Sequence, residues 1–306
     1  MFPQKLKQLI AKIDFRCLNP LKWNWRDYES ILKNLLIILV CFFLFYVSFF
    51  LIKNYSVFSN FQEAEYEDWE APASGGCTVA GLQLHGSLFT YIVPTSIGEN
   101  GETTQDEVAS QDIVQAISAA EKDVSVKAII LEVDSTGGSP VAGEEIGIAL
   151  KKAKKPTVAY IRDIGASAAY LAATGADRII ASKYSEVGGI GVTMSYVDNA
   201  GQNAKDGLFY NSLSVGKFKD AGSPDKKMTQ EERIMFMRDA NIMHQYFIKT
   251  VAENRSLDIE KVKKMADGST VLGEAALQNG LIDQIGGIYE VMHYLSEKIG
   301  AVSICW

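Results

Sequence analysis

Three short stretches pair unusual backbone with side chains that could work on a carbonyl group. The first is Asp134-Ser-Thr-Gly-Gly-Ser-Pro140, between an apolar run ending at Val133 and a helical pattern. Paired glycines let the backbone turn sharply and present N–H groups, so Gly137 and Gly138 suit an oxyanion hole as well as a plain strand-to-helix turn. The second is Gly165-Ala-Ser-Ala-Ala-Tyr170, which puts Ser167 at the first turn of the following helix. A serine there serves as a nucleophile favoured by the helix N-terminus, or simply as the helix cap. The third is Val215-Gly-Lys-Phe-Lys-Asp-Ala-Gly-Ser-Pro224. A lysine titrates near about 10.4 and acts as a base only where burial lowers its pKa. Lys217 and Lys219 are two apart, so in an extended segment both face one side and spacing does not choose between them. By composition alone this stretch reads as a solvated basic loop.

Other chemistries find less support. His85, His244 and His293 stand far apart, without partners at metal-ligand intervals or a place in a Gly-rich loop, which disfavours a metal site and a Ser-His-Asp triad alike. No phosphate-cradling or dinucleotide-binding glycine motif follows a strand. A net charge of −7 argues against nucleic-acid binding through a basic surface.

The elements that must position these residues alternate. Val79–Leu84, Val126–Val133, Pro156–Ile161 and Arg178–Ala181 read as strands, and the second is apolar without alternation, as a buried parallel strand requires. Ser110–Glu121, Val141–Lys154 and Ala166–Thr174 read as helices between them, which predicts an α/β domain of βαβ units. Thr229 and Glu232 form a capping box that opens a long helix, whose stripe of Phe236, Ala240, Met243, Phe247 and Val251 reads as core. No internal sequence repeat is evident.

The 306 residues are 47% hydrophobic and 22% charged, a globular balance, yet the charge is divided. The first 34 residues hold seven Lys/Arg against three Asp/Glu, and the rest hold 23 against 34. The divider is Leu35–Ile52, 18 uncharged residues bracketed by Lys33 and Lys53. As a helix it would be about 27 Å long, close to the hydrocarbon thickness of a bilayer. The long basic lead and the lack of an Ala-x-Ala-like site favour an uncleaved signal anchor. The expected organisation is a cytoplasmic segment 1–34, a transmembrane anchor 35–52, a linker 53–77 and a catalytic domain 78–306. The positive-inside rule puts that domain outside the cytoplasm, in contact with the lipid bilayer through its anchor. Cys77 and Cys305 could pair there, although two cysteines at opposite ends of a domain are weak evidence.

Taken together and in this order, the segments resemble the signal peptide peptidase A family of membrane-anchored Ser–Lys serine peptidases, related in fold to the crotonase and Clp protease groups. Asp134-Ser-Thr-Gly-Gly138 corresponds to the family's Asn-Ser-Pro-Gly-Gly-like turn, and Gly165–Tyr170 to its Ala-Ala-Ser-Gly-Gly-Tyr-like motif. Residues 175–181 and 187–192, Gly216-Lys-Phe-Lys-Asp220, Asp267-Gly-Ser-Thr, Gly273-Glu-Ala-Ala and Asn279-Gly-Leu-Ile-Asp283 continue the likeness. The resemblance implies a domain of repeated ββα units, Ser167 as nucleophile, Lys219 as general base, and Gly138, with Gly137 second, as oxyanion donor. It implies no cofactor and no metal. Peptide substrates such as remnant signal peptides are implied, and so is a homo-oligomer with sites shared between subunits, since the family completes each site from two copies of the repeat. Three departures stand out: Asp134 for Asn, Thr136 for Pro, and Ala168 and Ala169 for the paired glycines. Alanines beside the nucleophile could narrow access to it, which leaves an inactive membrane-anchored scaffold as the main rival. An acyl-thioester enzyme of crotonase type would explain neither the Ser–Lys pair nor the export signal.

Overall fold

The computed structural model describes residues 76–92 and 107–306, with Leu39 and Tyr46 as isolated helical positions. The chain divides into two units, Met1–Glu70 and Ala71–Trp306. The expected cytoplasmic segment, the linker up to residue 75 and, apart from those two positions, the apolar span 35–52 lie outside the described residues. Among the described residues no helix is long and apolar enough to cross a membrane.

The second unit is built on a sheet. Its strands are β1 (Val79–Phe89), β2 (Glu107–Ala109), β3 (Ala128–Gly138), β4 (Thr157–Ala166), β5 (Arg178–Ala181), β6 (Glu186–Gly188), β7 (Thr270–Leu272), β8 (Gln284–Ile285) and β9 (Ile304–Cys305). The helices are α1 (Ser110–Lys122), α2 (Pro140–Lys152), α3 (Ala168–Ala173), α4 (Ala200–Lys205), α5 (Gln230–Arg255), α6 (Ile259–Met265), α7 (Gly273–Asn279) and α8 (Ile288–Ile299). The order across the sheet is β2-β1-β3-β4-β5-β8, all neighbours parallel. β9 joins β1 and β6 joins β4, both parallel, while β7 pairs with β6 antiparallel.

Strand period sorts the core into two layers. Ile129, Leu131 and Val133 of β3 pack with Ile113 and Ile117 of α1, Ile146 and Leu150 of α2, and the alanines of α3. Ala128 and Ile130, on the other face, pack with Val158, Ile180 and the α8 residues Val291 and Leu295. Both faces of β3 are therefore buried, which is why its sequence shows no apolar–polar alternation.

The long strands break partway along. The β1–β3 register shifts between His85 and Ser87, and the β3–β4 register shifts between Val133 and Ser135. β4 pairs with β5 through Val158–Ile161 but with β6 through Ile164–Ala166. Each unit is thus a long strand segment, a short offset one and a helix, the ββα form expected. Three strands run past their expected ends. β1 runs on to Phe89, β4 runs on to Ala166, which was expected to open the following helix, and β3 continues through Gly138, so Asp134–Gly138 is offset strand rather than a tight turn.

Local signals are met where they were strong. Thr229 and Glu232 form their capping box, and Ser139 caps α2 by accepting from the Ala142 N–H, with Pro140 in the first turn. In the α5 stripe Ala240, Phe247 and Val251 are buried. Phe236 is half-buried because it borders an open groove against Val192–Tyr196.

Candidate active site

The offset segments carry the candidate serine and glycines. Ser167 follows β4 and precedes α3, with φ 54° and ψ −127°. A non-glycine residue there costs about 1–3 kcal/mol and persists only where its surroundings enforce it. They do so here. The Ser167 N–H donates to the Gly188 carbonyl at 2.8 Å, and the Ser167 carbonyl accepts from the Leu171 N–H at 2.9 Å. The Ser167 side chain makes no capping hydrogen bond, and its Oγ has no polar partner among the described residues. Capping is therefore not what this serine does.

Gly137 lies directly against it and Gly138 follows in the chain, with φ 102° and 152°. A Cβ on Gly137 would sit 2.8 Å from the Ser167 Cβ and 2.9 Å from both the Ala166 carbonyl and the Ala168 nitrogen. A Cβ on Gly138 would sit 2.1 Å from the Leu88 carbonyl. Only glycine fits at either place.

The two differ in what their N–H groups do. The Gly137 N–H donates to the Ser135 Oγ at 3.0 Å, and that buried hydroxyl donates in turn to the Gly86 carbonyl at 2.5 Å. Gly138 pairs with Leu88, whose carbonyl accepts from the Ser139 N–H at 2.8 Å. In a parallel ladder that pairing turns the Gly138 N–H away from β1, toward the β4 side where Ser167 stands. Of the pair, Gly138 is thus the one whose N–H is not taken up by Ser135 or by β1. Ser135 is the residue that composition did not single out. Its only sequence signal is a hydroxyl placed just past an apolar strand and two residues before the glycine pair.

The two alanines after Ser167 have a packing reason. Ala168 and Ala169 are buried, and α2 crosses so closely that a Cβ on Gly143 would lie 2.3 Å from the Ala168 carbonyl. Both belong to the core cluster that holds Ala142 and Ile146 of α2. Tyr170 is wholly buried and donates from its hydroxyl to the Leu281 carbonyl at 2.8 Å, tying α3 to the C-terminal segment. Burial pushes its phenol well above the ordinary tyrosine range.

The lysine segment is a run of turns rather than an extended strand: Lys219 N–H to Gly216 carbonyl at 3.1 Å, Ala221 to Phe218 at 3.1 Å, Ser223 to Asp220 at 3.2 Å. The parity of Lys217 and Lys219 therefore does not apply. Lys217 pairs with Glu231 at 3.0 Å. Lys219 is exposed, and its ammonium has no polar partner among the described residues. Within one chain no hydrogen bond joins Lys219 to Ser167 among the described residues. Around it Leu208 is 60% exposed, Phe209 79%, Leu213 96% and Val215 97%. The histidines are engaged elsewhere: His85 with Glu132 at 2.9 Å, His244 with the Ile190 carbonyl at 3.2 Å, and His293 with Glu297 at 3.8 Å.

Residues 149–301 match the model of peptidase family S49. The chain is 36% identical over 206 residues to a Methanocaldococcus jannaschii protein described as a protease, covering 67% of this chain and 66% of that one. It is 31% identical over 204 residues to an Enterococcus faecium protein described as signal peptide peptidase SppA, covering 66% of this chain and 59% of that one. The chain therefore spans less than two thirds of either relative. Among solved structures, a point mutant of ClpP1 from Listeria monocytogenes is similar at 14% identity and a TM-score of 0.42, covering 68% of this chain and 91% of that one.

Proposed function

This chain belongs to peptidase family S49, and on that premise we propose that it is a membrane-anchored serine endopeptidase that uses a Ser167–Lys219 dyad. The observation that carries the reading is Ser167 itself. It is held at positive φ, its hydroxyl takes no part in capping, and it stands against Gly137, whose neighbour Gly138 pairs with Leu88 so that its N–H is turned away from β1. Lys219 takes the Ser167 proton as Oγ attacks a peptide carbonyl, and the Gly138 N–H stabilises the oxyanion. Lys219 returns the proton to the leaving amine, and water then releases the acyl group from Ser167.

Lysine works as such a base only when desolvated, and Lys219 is exposed in the single chain. We propose that a second copy covers it, so that each site draws Ser167 from one subunit and Lys219 from its neighbour. The almost fully exposed Leu213 and Val215 beside it favour burial in such an assembly. The apolar run 35–52 would anchor the chain, with residues 1–34 in the cytoplasm and the domain outside. The substrates proposed are membrane-delivered peptides such as remnant signal peptides, in keeping with the name of the Enterococcus faecium relative.

The test uses the full chain in detergent with synthetic signal peptides. Wild type cleaves, while Ser167→Ala and Lys219→Ala assemble and do not. Co-assembly of the two inactive variants restores up to about a quarter of wild-type activity if sites are shared between subunits. An assembled wild type that cleaves nothing would leave the chain an inactive scaffold.

A further inference from the structure

We infer that Cys77 and Cys305 form a structural disulfide, acquired once the domain has left the cytoplasm, that clasps the C-terminal strand to the start of the folded domain. The inference rests on the proposed topology and extends it to a covalent feature. The two Cα atoms lie 5.7 Å apart across 228 residues of sequence, within the roughly 4.4–6.8 Å that a disulfide spans.

The surrounding backbone brings the two ends together by itself. The N–H groups of Thr78 and Val79 both donate to the Ser303 carbonyl at 3.0 Å. Thr78 Oγ1 donates to the Ala301 carbonyl at 3.0 Å and accepts from the Ser303 N–H at 2.9 Å. Val79 pairs with Ile304 and Ala80 with Cys305. The Trp306 ring covers Gly81, where a Cβ would lie 2.4 Å from it. Yet β9 is only two residues long and sits at the edge of β1. So short a strand frays in solution unless it is tied down, and the sulfur–sulfur bond ties it at the residue where pairing ends.

Cys77 is half-buried and Cys305 exposed, so both are open to thiol exchange. One thiolate attacks the disulfide of a thiol–disulfide oxidoreductase, forming a mixed disulfide. The second thiol then displaces the oxidoreductase, which leaves as a dithiol carrying the two electrons and two protons lost by the cysteines. Such oxidation proceeds outside the cytoplasm and not within it. Cys17 and Cys41 precede the linker, one in the basic lead and one in the apolar run, so they serve as internal controls.

The experiment takes the full chain in the membranes of a bacterial host, alkylates free thiols before lysis and maps peptides without reductant. The expected result is a linked Cys77–Cys305 peptide pair, with Cys17 and Cys41 alkylated, and loss of the link in a host lacking its extracytoplasmic oxidoreductase. The double variant Cys77→Ser, Cys305→Ser keeps its hydrolytic activity, melts on the order of 10 °C lower and loses Trp306 to carboxypeptidase, which the oxidised protein resists. Alkylated Cys77 and Cys305 in a domain that added protease can reach from outside the cell overturn the disulfide and leave the topology standing. Alkylated cysteines in a domain that protease cannot reach overturn both.

Discussion

Gly137 and Ser167 touch so closely that no side chain fits between them: a Cβ on the glycine would lie 2.8 Å from the serine Cβ. They come from successive ββα units, so the contact measures how tightly the offset ends of β3 and β4 are held together. Gly137→Ala must either push Ser167 off its positive φ or displace the Ser135 hydrogen bond. We expect a fall in kcat of at least about 100-fold with the assembly intact, read by peptide hydrolysis alongside size-exclusion chromatography.

Ser135 ties down the glycine pair, accepting from the Gly137 N–H and donating to the Gly86 carbonyl. Ser135→Ala leaves a buried N–H without a partner, at a cost of about 1–3 kcal/mol in stability. The expected kinetic signature is a kcat lowered about 10-fold or more with KM nearly unchanged, as for a residue that positions the proposed oxyanion donor and does not bind substrate.

The two lysines of the turn segment should separate cleanly. Lys217 and Glu231 are both well exposed, 61% and 65% by side chain, and such a pair contributes about 0–1 kcal/mol. Lys217→Ala should hydrolyse peptides within about twofold of wild type, whereas Lys219→Ala should be inactive. Equal losses in both variants would remove Lys219 from its proposed role.

Ala168 and Ala169 face the interior, so restoring glycine gains nothing at the serine. Ala168→Gly and Ala169→Gly should each lower stability by about 1 kcal/mol or more, through lost helix propensity and a small cavity. Neither should raise kcat. A thermal melt and a rate measurement on the same preparation check both statements.

Glu232 predicts part of the acid sensitivity. Its carboxylate accepts from the Lys226 ammonium and from the Thr229 backbone and hydroxyl, and these bonds hold its pKa below the usual 4.5. A depressed carboxylate contributes stability above its unfolded value, and that stability is lost as pH falls through the lower folded value. Glu232→Gln should therefore narrow the gap in melting temperature between neutral pH and about pH 3. An unchanged gap would mean that the helix-start pair has no part in acid unfolding.

Much of this was legible because it is local. An uninterrupted apolar run marks a buried parallel strand wherever it falls, and a Thr-x-x-Glu spacing caps a helix through bonds three residues apart. The ordered motifs around Gly137, Ser167 and Lys219 are local in the same sense, and they carry the family likeness. Register breaks, by contrast, arise between strands, so nothing within Asp134–Gly138 showed that it continues as offset strand. The division of labour between Gly137 and Gly138 depends on Ser135, Gly86 and Leu88 lying on adjacent strands.

What the sequence determined alone is the set of candidate reacting groups, the charge asymmetry about residues 35–52 and the period of each element, all properties of neighbours along the chain. Only the tertiary structure decided that the Gly137 N–H is taken by Ser135 while Gly138 pairs with Leu88, that Ala168 and Ala169 are buried, and that Cys77 meets Cys305 across 228 residues. Each of these is a contact between distant segments, and such contacts exist only once burial of the shared core has placed the segments side by side.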